Sequence, residues 1–154
     1  MTRLCWPLVT LLALIVLAML YLFVVRGQTA PASDGRTAIL LAPAERDLVL
    51  AEMRGFLEAV QGITQAVAEQ DADAAVAAAR KVGAAAQQAV PASLVGKLPL
   101  GFKRLGFDTH QRFDQLALDV GAFGDTEPVM PALAALMRNC TACHASYRFE
   151  LESP

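Results

Sequence analysis

The chain has 154 residues, and its 13 Lys and Arg against 15 Asp and Glu give a formal net charge of −2. Without Arg3 and Arg26, which flank an apolar N-terminal segment, 11 basic residues remain against the same 15 acids, a balance of −4. Such a balance excludes a nucleic-acid-binding protein on electrostatic grounds. By length, the part beyond the apolar segment is one small domain.

The N-terminal segment is an uncharged run of 22 residues from Leu4 to Val25. As a helix rising about 1.5 Å per residue it reaches about 33 Å, enough to cross the hydrocarbon core of a bilayer. Because the apolar region of a secretory signal is commonly about 7–15 residues long, this length predicts an uncleaved transmembrane anchor over residues 1–27. The alternative is a long signal peptide that is cleaved after Ala30-Pro31-Ala32, so that the mature chain begins at Ser33.

Residues 28–42 contain Gly, Pro, Ser and Thr, a composition that predicts a linker holding the next domain away from the membrane. That domain is expected over residues 43–154. Four helical segments and no strand alternation can be read along it, which predicts an all-α fold.

Each of the four predicted helices has apolar residues at three- and four-residue steps. The second helix is almost pure alanine and can be capped by Asp71. A loop with two Pro and two Gly separates the second helix from the third, and Gly124 and Asp125 separate the third from the fourth. The predicted bounds are about residues 43–69, 72–90, 102–123 and 126–149.

The run Cys140-Thr141-Ala142-Cys143-His144 is the attachment signature of c-type haem. Two thiols three residues apart on a helix lie on neighbouring turns of one face, where they can add to the two vinyl groups of one haem. The adjacent His can then ligate the iron. A zinc site would need further ligands, but the other Cys and His are Cys5 and His110. A thioredoxin-like dithiol would need a βαβ context, and no strand pattern lies nearby.

The haem motif shares the apolar face of the fourth predicted helix, so His144 is expected to point into the helical domain. Because c-type haem is attached on the outer side of bacterial energy-transducing membranes, the domain is expected at the periplasmic face of the inner membrane. It would be anchored there by the N-terminal helix or, after cleavage, be soluble in the periplasm. Cys5 lies at the membrane's edge without a lipobox and is interpreted as inert.

The last predicted helix ends in a C-x-x-C-H-x-x-Y-R pattern, formed by Cys140, Cys143, His144, Tyr147 and Arg148. With the four helical segments, this pattern resembles the C-terminal signature of class II cytochromes c, the cytochrome c′ family. The resemblance covers about residues 43–150 and implies an antiparallel four-helix bundle with one covalent haem c. It also implies that Arg148 and Tyr147 lie beside the haem, and that a homodimer can form through the first two helices.

The same resemblance implies that the first helix covers the sixth coordination position of the iron. Met53 lies at about that position, with Phe56 and Leu57 beside it on the helix, and its thioether would give a Met/His pair with a raised reduction potential. His110 on the third helix is the other candidate ligand. At 100° per residue it lies about 90° from the centre of the inward face, which favours a position at the edge or surface.

Two functions follow from these alternatives. With Met53 bound, the protein is expected to be an electron carrier that serves a redox partner in the periplasm or membrane. With an open sixth position, small uncharged gases such as NO or CO can reach the iron, as in cytochromes c′. A haem-free helical bundle is the third alternative, and it requires the motif to be accidental. No catalytic acid–base pair or nucleophile pattern is visible, so no enzyme is expected.

Overall fold

A computed structural model describes residues 2–152 of the chain, which form six α-helices and one three-stranded sheet. A π-helical turn continues the first helix, and a 3₁₀ segment follows the third. The helices are α1 (Thr2–Leu20), α2 (Pro43–Glu69), α3 (Ala72–Arg80), α4 (Ala92–Lys97), α5 (Leu100–Phe123) and α6 (Val129–Ser146). The strands are β1 (Thr29–Pro31), β2 (Thr37–Leu41) and β3 (Tyr147–Leu151).

The N-terminal helix has the length and composition of a membrane span. The apolar stretch is Trp6–Arg26, 21 residues long, and none of it is buried inside the protein. It is long enough to cross a bilayer, as expected from the sequence. A membrane anchor and a signal sequence both meet this description.

The end of this apolar stretch is joined directly to the folded domain. Gly27 has a φ of +65°, and a Cβ added there would overlap the backbone of Lys97 and Leu98. The Gln28 amide donates a hydrogen bond of 2.7 Å to the Lys97 carbonyl. The Lys103 ammonium donates one of 3.3 Å to the Phe23 carbonyl. No spacer therefore separates the apolar stretch from the domain within the described residues.

The segment 28–42 is part of the fold, and its prediction as a linker was wrong. Strand β1 pairs antiparallel with β2, and β2 pairs in parallel with β3, so Ile39 lies opposite Phe149. Ala38, Ile39 and Leu41 are fully buried. The Thr-Ala-Ile-Leu-Leu run of β2 has apolar and β-branched residues, which suit a buried strand. The expectation of an all-α domain is corrected by this sheet.

The larger hydrophobic cluster lies among α2, α3, α5 and α6. Helix α3 packs against both α2 and α5, and α6 packs against α5 and contacts α2. Helix α3 can pack closely against α2 and α5 because the residues that it buries, Ala75 and Ala79, have small side chains. The predicted apolar stripe of the first domain helix is confirmed where Val49, Phe56 and Ile63 are buried.

A smaller hydrophobic cluster joins the sheet to the helices. It contains Ile39, Leu41, Val49, Leu94, Leu98 and Phe102. Met53 packs against both clusters from the middle of α2. Lys97, at the end of α4, forms ion pairs with residues of two other segments. Its ammonium lies 2.6 Å from the Glu45 carboxylate on α2 and 3.0 Å from that of Glu152, just after β3.

Several predicted boundaries differ from the structure. The alanine-rich helix ends at Arg80 and continues as the 3₁₀ segment Ala84–Ala89, and the predicted loop 91–101 contains α4. The last helix ends at Ser146 instead of about Phe149, because the next residues extend to pair with β2. Phe123, the last residue of α5, is 77% exposed, since the helix ends there and the chain turns at Gly124, whose φ is +66°.

Candidate functional site

The two cysteines of the motif lie near the C-terminal end of α6 as half-buried free thiols. On a helix, positions three apart are neighbours on one face, as the sequence predicted. Cys140 packs against the larger hydrophobic cluster and Cys143 against the smaller one. The motif therefore sits where the two clusters meet.

The side chain of His144 is exposed, not directed into the helical core as expected. Helix α6 buries Leu133 and Leu136, whereas Met137 is 41% exposed. Tyr147 has left the helix and belongs to β3. Cys140 and Cys143 still pack against the two hydrophobic clusters, whereas the next residue, His144, lies at the mouth of an open cleft and is exposed.

His144 lines an open cleft of about 330 Å³ between α2, α6 and β3. We call this the α6 cleft. Its apolar walls bring Met53 and Cys143 together, although 90 residues separate them in the sequence. The full lining is Arg36, Arg46, Leu50, Met53, Phe102, Cys143, His144, Tyr147, Arg148 and Phe149.

Four of the residues selected from the sequence therefore share this cleft with Met53: Cys143, His144, Tyr147 and Arg148. Met53 is half-buried, with its neighbour Leu50 in the same wall one turn earlier on α2. Cys140 lies one turn before Cys143 and is not in the cleft wall. A thioether and an imidazole thus border one apolar space from different elements.

The C-terminal end of α6 is held by a guanidinium from the hairpin. Arg36 donates hydrogen bonds of 3.2 Å to the His144 carbonyl and 3.3 Å to the Tyr147 carbonyl. A cation at a helix C-terminus also interacts favourably with the helix dipole. Arg36 is itself bound by Asp34 at 2.8 Å, and Arg148 contacts the same carboxylate at 3.2 Å. The hairpin therefore fixes the backbone that carries His144.

The arginine residues beside the α6 cleft lower the pKa of Asp34. The hydrogen bond from the Arg36 side chain, with one from its backbone amide, lowers the pKa of Asp34 to about 2. Arg36 and Arg148 line the α6 cleft beside its apolar walls, and both are paired with carboxylates: Arg36 with Asp34, and Arg148 with Asp34 and Glu150. An open apolar cleft of this kind suits an apolar group.

Burial makes the two thiols weak acids. It raises the pKa of Cys140 and, helped by the neighbouring Cys140, raises that of Cys143 to about 11. Reactive dithiols show the opposite, with thiol pKa values lowered at helix N-termini or beside cations. The position near a helix C-terminus and the raised pKa values both disfavour a thioredoxin-like dithiol.

Phe56 and Leu57 are not brought to the α6 cleft. Phe56 is buried in the larger cluster, where its ring stacks on Phe113 at 5.6 Å between centroids. Leu57 is 70% exposed and faces solvent. The prediction that they neighbour a haem rested on the helical stripe that they share with Met53. At 100° per residue they lie about 60° to one side of Met53 and about 40° to the other, and Phe56 is turned into the larger cluster while Leu57 is turned toward solvent.

His110 is buried, with 3% exposure, and its prediction as an edge or surface residue was wrong. Its Nδ1 lies 2.8 Å from the Val82 carbonyl oxygen, and its Nε2 lies 3.0 Å from Glu52 Oε1. The ring also contacts Phe56, at 4.8 Å between centroids. The chain turns that follow α3 cover this side of α5, which the helical wheel of an isolated helix does not reveal. Both ring nitrogens are engaged away from the α6 cleft.

Several cleft residues were not selected from the sequence. Leu50 could have been found, because it lies three residues from Met53 on the same helix face. Phe149 could have been found from its i+2 spacing to Tyr147, had the strand been recognised. Arg36 and Phe102 carry no local signal, since the fold alone brings Arg36 to a residue 108 positions away.

Within residues 2–152, no group of three or more His, Cys, Asp or Glu side chains is arranged to hold a metal ion. Compared with known proteins, the chain matches no family model, no curated protein and no solved structure.

Proposed function

We propose that this chain is a membrane-anchored c-type cytochrome that transfers electrons. Cys140 and Cys143 would bind one haem covalently, His144 would be its proximal ligand and Met53 its distal ligand. The observation that carries this proposal is the α6 cleft, where Met53 meets Cys143 and His144. The chemistry of the C-x-x-C-H motif supplies the rest of the argument.

The residues around the cleft fit a haem. Its walls are apolar, as the porphyrin face requires, and it is open at the surface, so a planar group can enter with its edge exposed. Both thiols are free; Cys143 lines the cleft, and Cys140 lies one turn before it on α6, outside the cleft wall. A carboxylate at the haem edge would compete with Asp34 and Glu150 for Arg148, which lines the cleft.

When bound, the haem supplies a one-electron Fe(III)/Fe(II) couple, whose potential a Met/His pair raises. The chain's own part is to hold ligands and exclude water. Met53 packs between both hydrophobic clusters, which restricts its rotamers. Arg36 binds the His144 carbonyl, which holds the backbone of the proximal ligand in place. Side chains held in this way would keep reorganisation small between the two oxidation states of a bound haem.

We further propose that α2, α3, α5 and α6 form the antiparallel four-helix bundle of a class II cytochrome c, with the sheet as an addition. Contacts of α3 with α2 and α5, and of α6 with α5, support this arrangement. The stretch Trp6–Arg26 would be an uncleaved anchor in the bacterial inner membrane, with the domain on the periplasmic side. The direct junction at Gly27 supports an uncleaved chain, because cleavage before Ser33 would remove β1 from the sheet.

Covalent attachment is tested on protein made in a bacterium that matures c-type cytochromes. The pyridine haemochrome spectrum should show one haem per chain, and the haem should stay with the protein after acid–acetone extraction. The double variant Cys140→Ala/Cys143→Ala should lose the haem, whereas Cys5→Ala should keep it. Haem that is extracted from the unmodified chain, or fully retained by the double variant, would contradict the proposal.

A further inference from the structure

Two helices of the domain contact the last turn of the apolar stretch. Lys103 of α5 donates a hydrogen bond of 3.3 Å to the Phe23 carbonyl. The Phe23 ring lies against α4, where a Cβ added at Gly96 would be 3.9 Å from its Cδ1 atom. The Gln28 amide is bound to the Lys97 carbonyl at the end of the same helix. These contacts fix which end of the domain faces the membrane.

The contact at Phe23 also sets the depth of α5 in the membrane interface. Phe23 lies three residues before Arg26, the first charged residue after the uncharged run. Its carbonyl is therefore about 4 Å closer to the bilayer centre than Arg26. Since the Lys103 ammonium reaches this carbonyl, the first turns of α5 lie at the level of the lipid headgroups when the stretch spans a bilayer.

A groove of about 460 Å³ lies at the same level, between the end of the apolar stretch and α4. Leu22 and Phe23 form an apolar part of its lining, and Gln28 and Ser93 add polar side chains. A phospholipid has both characters, in its acyl chains and in its glycerol and headgroup. This end of the domain therefore has room for lipid beside the span.

A group of three cations lies at this end of the domain: Arg26, Lys103 and Arg104. None of them forms an ion pair with a carboxylate within residues 2–152. Arg26 and Arg104 are exposed, and burial lowers the pKa of Lys103, as expected of a partly desolvated ammonium. Phe107 lies one turn after Lys103 on the same helix face and is 45% exposed. We call these four residues the membrane-facing surface.

Charge is unevenly distributed over the domain. Without Arg3 and Arg26 the chain has a balance of −4, so an anionic bilayer repels the domain as a whole. Lys97 lies at the membrane end but is bound by Glu45 and Glu152. The cations of the membrane-facing surface exceed the one carboxylate charge that Lys97 leaves uncompensated. An anionic bilayer therefore attracts this end of the domain and repels the rest.

We propose that the membrane-facing surface binds the headgroups of anionic phospholipids, which holds the domain directly on the bilayer in one orientation. This inference rests on the anchor in the proposed function. The guanidinium groups of Arg26 and Arg104 can bind phosphate oxygens in pairs, and the Lys103 ammonium has further hydrogens to donate beside its bond to Phe23. Phe107 enters the interface with its exposed edge. A zwitterionic headgroup carries its own cation, so it binds this surface less well.

The test uses the full-length haem-loaded chain in nanodiscs that contain equal amounts of phosphatidylglycerol and phosphatidylcholine. Phe107 is replaced by p-benzoylphenylalanine, which crosslinks to neighbouring molecules on illumination, and the mass of the crosslinked chain identifies the lipid. The same replacement at Phe123, an exposed Phe about 24 Å farther along α5, is the control. Because each Lys or Arg near an anionic surface contributes about a fivefold preference, the probe at Phe107 should crosslink phosphatidylglycerol at least about tenfold more than phosphatidylcholine. The probe at Phe123 should crosslink neither lipid.

Charge variants of the chain that carries the probe at Phe107 test the cations themselves. Arg104→Gln should lower the preference for phosphatidylglycerol about fivefold, and Lys103→Gln/Arg104→Gln should bring the two lipids close to equal. Arg80→Gln/Lys81→Gln is the matched control, because it removes two exposed cations at the end of α3, outside the membrane-facing surface. It should leave the preference unchanged. High salt should lower the preference of the unsubstituted surface, since exposed charges are screened.

Absence of lipid crosslinks at Phe107, equal crosslinking of the two lipids, or equally strong crosslinking at Phe123 would overturn the inference. A preference that neither Lys103→Gln/Arg104→Gln nor high salt lowers would also overturn it, and the salt arm decides the outcome if the double variant does not fold. A chain that does not co-elute with the nanodiscs would contradict the anchor and this inference together, whereas a chain that co-elutes without the expected crosslinks contradicts this inference alone. The pyridine haemochrome spectrum of the same sample reports the haem independently.

Discussion

Ile39→Ala tests whether the hairpin belongs to the cooperative fold. Ile39 is the central residue of β2, is fully buried and packs in the smaller hydrophobic cluster. Truncation of a buried Ile to Ala removes transfer free energy and leaves a cavity, which together cost about 2–5 kcal/mol. Because Ile39 is fully buried, we expect the free energy of unfolding to fall by about 3 kcal/mol. Ile39→Val should cost only about 0.5–1.5 kcal/mol.

The measurement is urea unfolding of the full chain in detergent, followed by far-ultraviolet circular dichroism. At a slope of about 1–3 kcal/mol per molar urea, the expected loss moves the midpoint down by about 1–3 M. Ser33→Ala, at the exposed tip of the same hairpin, should stay within about 0.5 kcal/mol of the unmodified protein. If Ile39→Ala behaves like Ser33→Ala, residues 28–42 do not pack on the domain and the reasoning is refuted.

Two further predictions follow from the structure. Burial alone would lower the pKa of His110, but the hydrogen bonds to Glu52 and to the Val82 carbonyl raise it above its ordinary value of 6.5. The folded state therefore binds the proton of His110 more tightly than the unfolded state does. The resulting stabilisation of the folded state is present below about pH 6.5 and is lost as the pH rises through the folded-state pKa. Glu52→Gln should flatten that loss in urea unfolding across this pH range, and a profile no flatter than that of Glu58→Gln would contradict it. The anchor predicts that the haem-stained chain stays in the membrane pellet after a high-salt wash, since hydrophobic insertion is not screened by salt; a soluble form beginning at Ser33 would contradict it.

The sequence was most informative where the pattern is local. The apolar stretch near the N-terminus and the stripe of α2 are set by residues close in the chain, and the structure has both. The parallel pairing of β2 with β3 joins residues about 110 positions apart, so no local sequence pattern predicts it. The Gly, Pro and Ser residues before the short run that forms β2 favour a linker, which is why the sequence does not predict this strand. The residues after Ser146 pair with the edge of β2, so they form a strand instead of continuing the helix.

The candidate site shows the same division. The resemblance to class II cytochromes c selected Met53, and the motif selected Cys143 and His144; these three residues line the α6 cleft. The exposure of His144 and the burial of His110 could not be predicted, because both depend on which segments cover a helix end or side. A helical wheel assigns directions within one helix but does not say what lies opposite.

The absorption spectrum of the purified protein tests most directly whether Met53 and His144 ligate one haem. Spectra of the ferric and ferrous forms, with and without CO, should show low-spin iron and slow CO binding, because the thioether must leave first. Met53→Ala should turn the iron high-spin and speed CO association, while His110→Ala should leave the spin state and the CO rate unchanged. An unmodified protein that is already high-spin and binds CO at once would contradict the Met/His assignment and favour a gas-binding cytochrome.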